Sequence, residues 1–110
     1  MAFSAIEIIG GVVLTTTPTV VYTGSSNQNA QISQFILFNQ DTVNAHLVNV
    51  WLGGGTTDAD QVGSFIVPAQ STYSVYQILR LIVSAGQNIT LQTDLDGVVT
   101  CKASASILTS

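Results

Sequence analysis

Residues 98–107 read VVTCKASASI, and this short run constrains the chain more than any other. Val99, Cys101, Ala103, Ala105 and Ile107 fall on one side of an extended strand. Thr100, Lys102, Ser104 and Ser106 fall on the other. Strict alternation with period two fits a half-buried strand and no helix, because side chains alternate across a strand. A strand with one apolar face needs a second layer to cover it. The chain must therefore supply several more strands of the same kind.

It does. TVVYT (Thr19–Thr23), AQISQFILF (30–38), HLVNVWL (46–52), GSFIVP (63–68) and NITLQT (Asn88–Thr93) are short, rich in β-branched residues, and separated by turn-forming residues. The separators are GSSNQN (24–29), NQDTVN (39–44), GGGTTDADQ (53–61) and DLDG (94–97), the last with the chemistry of a hairpin turn. Pro68 cannot donate to a ladder and ends its strand. The expected fold is an all-β antiparallel sandwich of jelly-roll type. At 110 residues this is one core, with a β-sandwich domain over 19–110 preceded by an arm or edge strand over 1–18.

One segment breaks the pattern. VYQILRLIVSAGQNI (75–89) is the most apolar stretch of the chain, yet it holds Arg80. At helical spacing, Val75, Ile78, Leu79 and Ile82 form one stripe, while Gln77, Arg80 and Ser84 face away. Ser74 suits an N-cap and Gly86 the left-handed residue after the last turn. The spacing predicts a short helix near 75–84, with Arg80 on its polar side.

Composition excludes several classes of function. Charged residues make up 7% of the chain and the net charge is −4, against about 25% charged in ordinary domains. Two cations, Arg80 and Lys102, give no electrostatic footprint for nucleic acid. Gln77 and Arg80 interrupt the one candidate membrane span. MAFSAIEIIGGVVL lacks the basic start of a secretory signal, and Glu7 interrupts its apolar run. The surface is polar but nearly uncharged, which does little to keep copies apart.

The candidate chemical groups are few. Cys101 with His46 could pair a thiol with a base, but Cys101 sits among inward-facing Val99 and Ala103, where cysteine acts as a small apolar residue. His46 opens a strand after a turn and is expected to be exposed or to cap that turn. One His and one Cys do not make a structural zinc site. DLDG lacks the ligand series of a calcium loop, and Gly53-Gly54-Gly55 lacks the Lys-Ser/Thr of a phosphate loop. Trp51, Tyr22, Tyr73 and Tyr76 could stack on sugars, though Trp51 reads first as a core aromatic. The expected enzyme activity, metal and cofactor are therefore none.

The arm carries Phe3, Ile6, Ile8, Ile9, Val12, Val13 and Leu14. So apolar a segment does not hang free in water: it either supplies an edge strand or lies on a neighbour. Phe3, Ile6, Ile8 and Ile9 are the expected partner-contact residues, with the first residues of the arm reaching a partner.

VVYTGSS, AQISQFILFNQDTVNAHLVNVWL and IVPAQSTYSVYQILRLIVSAGQNITLQTD, taken in this order, resemble the small β-sandwich virion proteins of tailed bacteriophages, the head decoration (cement) type among them. The resemblance spans residues 20–107 and rests on short elements. These are Tyr22-Thr23 before a polar loop, two long strands joined near Asn39, Pro68-Ala69 with Thr72-Tyr73, and Leu79 to Ala85-Gly86 to Ile89. Gln70 departs from it, since a glycine is expected after Pro-Ala. The resemblance implies a non-enzymatic virion subunit, often a homotrimer, that stabilises the head by binding the major capsid protein. Such a subunit assembles in the host cytoplasm. The alternatives are a minor tail, neck or fibre-base subunit, and a carbohydrate-binding module.

Overall fold

The computed structural model describes residues 2–57 and 59–109, and the side chains of 6–57 and 59–108 within them. Among these residues, nine antiparallel strands form two packed sheets. β1 (Ala2–Val13), β3 (Gln28–Asn39), β6 (Thr72–Ser74), β7 (Ile82–Val83) and β9 (Val99–Thr109) make the first. Its order is β1-β9-β3-β6, with β7 also on β3. β2 (Thr19–Thr23), β4 (His46–Gly53), β5 (Gln61–Val67) and β8 (Asn88–Thr93) make the second, in the order β2-β8-β4-β5. With β6 and β7 sharing one position, this is the two-sheet jelly-roll arrangement that the alternation predicts.

Most connections cross from one sheet to the other, and 94–97 is one of them. β8 pairs with β2 and β4, while β9 pairs with β1 and β3. DLDG is therefore a turn between sheets and not a hairpin, although Gly97 does take the positive φ (83°) that such a turn favours.

The core lies between the sheets. Phe35, Ile32 and Leu37 of β3 and Val99, Cys101, Ala103 and Ala105 of β9 meet Val48 and Val50 of β4, Phe65 and Val67 of β5, and Ile89 and Leu91 of β8. Each large side chain buried here contributes about 1.5–3 kcal/mol. Bulges keep the pattern in phase. In β3 the register shifts between Ile32 and Gln34, so Ala30 and Ile32 on one side of the bulge and Phe35, Leu37 and Asn39 on the other all face inward. β1 carries two such shifts, between Glu7 and Ile9 and between Gly10 and Val12.

The N-terminal segment forms the edge strand of the first sheet, with Ala2–Val13 paired along β9 of the same chain. Ile9 lies in the core at 1% exposure, so it is not available to a partner, contrary to the expectation for that residue. Ile8 packs partly against the core, while Ile6 is 45% exposed. The side chain of Phe3 lies outside the described residues.

The expected helix at 75–84 is not there. A single 3-10 turn, Tyr76–Ile78, is the only helical piece among the described residues of this segment. The reason lies in the edge of β3. The Val75 and Arg80 N–H groups donate to the carbonyls of Phe35 and Ile32, and the Ile32 N–H donates to the Leu81 carbonyl. An α-helix would satisfy its own backbone and leave these β3 groups unpaired, a cost that the helical stripe cannot offset. Arg80 consequently adopts φ = 74°, a left-handed conformation that is strained for a side chain of this kind. Gln70 also takes a positive φ, 56°, at the position where the family resemblance leads one to expect glycine.

Candidate functional site at the loop-bearing end of the sandwich

His46 is the first residue of β4 and sits in phase with inward-facing Val48 and Val50. Its register partner on β5 is Val67. This placement buries the residue to 6% exposure, so of the two expectations, an exposed histidine or one that caps the turn, the exposed one fails. A buried imidazole needs partners for both nitrogens. Nε2 lies 2.8 Å from Asp41 Oδ2 and Nδ1 lies 2.7 Å from Asp94 Oδ1.

The two carboxylates reach the ring from different elements. Asp41 belongs to the turn between β3 and β4. Its Oδ1 accepts the backbone N–H groups of Val43 (2.9 Å) and Asn44 (3.2 Å). Those bonds, first Val43 and then His46, hold its carboxyl down at about 2. Asp94 begins the crossover after β8, and its Oδ2 accepts the Leu47 N–H at 3.3 Å. The hydrogen bond that the His46 Nε2–H donates to Asp41 raises the ring above its ordinary 6.5. Burial opposes this shift, and Asp94 adds to it.

Asn39 backs this group from the core side. It is fully buried, and its Nδ2 donates to the Asn44 carbonyl (2.9 Å) and the Val67 carbonyl (3.0 Å). Its Oδ1 accepts the Asp41 N–H at 2.9 Å. One amide thus ties β3 of the first sheet to β5 of the second and to the turn that carries Asp41. Among the described residues no buried side-chain polar atom lacks a partner.

The remaining candidates are dispersed. Cys101 is buried in β9, and burial pushes its thiol up to about 12, where it is neither nucleophile nor ligand. No hydrogen bond joins it to His46, whose ring nitrogens are both taken by aspartates. Among the described residues, no cluster of His, Cys, Asp and Glu is arranged to hold a metal ion. The Asp60 carboxylate accepts the N–H of Gly55 and so organises its own glycine loop. The aromatic residues are spread over both sheets: Trp51 is buried on β4 opposite Thr90, Tyr22 is on β2, Tyr73 on β6, and Tyr76 stands exposed in the 3-10 turn. Trp51 also stands outside the inter-sheet core cluster. Arg80 borders an open recess of about 360 Å³ with Gln31, Ile32, Ser33, Leu79 and Ser106, and among the described residues it makes no ion pair.

Sequence reasoning missed the Asp41–His46–Asp94 group. The NQDTVNAH run does place Asp41 five residues before His46, but Asp94 is 48 residues away and only the pairing of β8 with β4 brings it in.

No protein-family model matches this chain, and no curated protein matches it. Among solved structures, it is similar in fold to a protein of Bacillus endospore appendages, a family of disulfide-linked pili. The TM-score is 0.60 at 16% identity, covering 97% of this chain and 88% of that one. A weaker likeness, TM-score 0.43 at 8% identity, is to a protein of the T13 IBDV viral particle, covering 96% of this chain and 30% of that one. At 16% identity the likeness to the pilus protein is one of fold.

Proposed function

We propose that this chain is a non-enzymatic structural subunit of a repeating protein assembly. The observation that carries this reading is its surface. Val43 is 78% exposed, Ile66 64% and Tyr76 74%. They stand on a chain with only 7% charged residues. Leu47 and Ile66 are paired across β4 and β5, and both are exposed. Scattered apolar side chains are ordinary on a protein surface, but a nearly charge-free surround offers little to keep neighbouring copies apart. Among the described residues, the buried titratable groups serve packing and loop closure.

The specific form we carry forward is a homotrimeric decoration subunit on a phage head, bound to the major capsid protein. It rests on the sequence resemblance. A minor tail, neck or fibre-base subunit of the same particle is the neighbouring possibility. A second reading, a subunit of a pilus-like fibre, is favoured by the extent of the fold likeness, which covers nearly all of both chains.

The experiment is native mass measurement over a dilution series, with electron microscopy of the same samples and binding to capsid shells that lack the subunit. Trimers that saturate such shells support the decoration reading, and fibres formed by the protein alone support the pilus reading. A strict monomer that joins neither shells nor fibres refutes the structural role, and a glycan array then tests the carbohydrate-binding alternative.

A further inference from the structure

We propose that Asp41, His46 and Asp94 form a proton-operated clasp. The imidazolium ties the crossover at 94–97 to the start of β4, and loss of its proton releases the Asp94 side while the Asp41 side holds. The device belongs to the folded subunit and does not depend on what the subunit assembles with.

A neutral imidazole carries one N–H and can donate to one carboxylate only. Here both ring nitrogens lie within 2.8 Å of a carboxylate oxygen. With a neutral ring, one of these contacts would set a nitrogen lone pair against an oxygen lone pair. Protonation of the ring satisfies both contacts and places a cation between two anions in a buried site. Among the described residues no other charged group is bonded to the ring. Asp96, in the same crossover, turns away and accepts the Thr16 N–H through Oδ1. Val67, the register partner of His46, and Asn39, which bonds the Val67 carbonyl, are neutral.

The two arms of the clasp differ in strength. The Asp41 side chain is 17% exposed and is held by two backbone N–H groups besides the ring. The Asp94 side chain is 50% exposed and has one further bond, the long one from Leu47. When the proton leaves, the single remaining N–H stays with Asp41, the better-anchored partner, and Asp94 faces a bare nitrogen. Its escape route is water. The crossover it carries also bears exposed Leu95, and reaches the β1–β2 connection through the bond from Gly97 N–H to the Leu14 carbonyl and through the Asp96–Thr16 contact. Release therefore loosens 94–97 together with the residues just after β1.

A histidine whose folded pKa is raised contributes stability that is complete below its unfolded value, about 6.5, and disappears as pH rises through the folded value. The clasp is closed below about 6.5 and opens as pH rises through the raised midpoint of the ring. At the acid end the Asp41 contribution fails only as pH falls toward about 2.

The test is made easier by composition, since His46 is the only histidine in the chain. Its ring signals can be titrated by NMR in the intact protein with no substitution. The expected result is a midpoint above 6.5 with both nitrogens protonated at pH 6. Amide exchange, corrected for its intrinsic pH dependence, should rise in 94–97 by roughly tenfold per pH unit above that midpoint until the open state dominates. The segment 41–45 should change much less. Asp94→Asn, a change at a half-exposed position, should lower the His46 midpoint and flatten the pH dependence of exchange. A neutral ring at pH 6 would overturn the proposal. So would a midpoint at or below 6.5, or exchange in 94–97 that ignores pH.

Discussion

Asn39→Ala tests how much of the fold hangs on one buried amide. The substitution removes three hydrogen bonds, to Asn44, Val67 and Asp41, at a position with no solvent exposure. A hydrogen bond is worth about 0.5–1.5 kcal/mol net, and a buried group left unpaired costs about 1–3 kcal/mol. Water can reach the Asn44 carbonyl and the Asp41 N–H, which belong to a surface turn, but not the Val67 carbonyl between the sheets. The expected loss is about 2–4 kcal/mol. At roughly 4–8 °C per kcal/mol for a domain near this size, the melting temperature should fall by about 8–32 °C. Urea denaturation at fixed protein concentration measures the loss directly, with m unchanged if only the native state is affected. Asn49→Ala is the control. Asn49 bonds Gln92 and Ser64 on the outer face, where water replaces the lost partners, so its cost should stay within about 0.5 kcal/mol. If Asn39→Ala costs less than about 1 kcal/mol, or no more than Asn49→Ala, the amide is not an inter-sheet tie.

Three other outcomes are expected. Cys101→Ala should cost about 1 kcal/mol as a small core truncation, and the folded wild type should resist thiol alkylation, because burial holds the thiol near 12. Arg80→Gly should leave stability unchanged or raise it by up to about 1 kcal/mol, since relief of about 1–2 kcal/mol of left-handed strain outweighs the added freedom of the unfolded chain; a clear loss in urea titration would mean that the Arg80 side chain contributes to the fold. Deleting residues 1–9 should lower the melting temperature of the isolated subunit, because it takes Ile9 from the core and a strand from β9; an unchanged melt would show that β1 is dispensable to the sandwich.

The strand positions were legible because burial on one face leaves period two in the sequence. Thr19–Thr23 and Asn88–Thr93 read directly as β2 and β8, and the alternation from Val99 is enough to place Cys101 in the core. Residues 75–84 misled for a related reason. Val75 and Ile78 do carry an apolar helical spacing and are indeed buried, but burial does not choose the backbone. The choice was made by the unpaired N–H and carbonyl groups along the edge of β3, which no local pattern reports. Ser33 and Gln34 likewise give no sign of the bulge that returns Phe35 to the core.

By itself, then, the sequence determined an all-β chain of two facing layers with an almost uncharged surface. These properties depend on side-chain type and spacing within single segments. Which strand joins which sheet, the turning of the 94–97 crossover from one sheet to the other, and the meeting of His46 with Asp41 and Asp94 were decided only in three dimensions. A buried ring with two nitrogens to satisfy takes its partners from whatever chain passes within about 3 Å, and residues 48 apart are brought that close by the pairing of β8 with β4 in the second sheet.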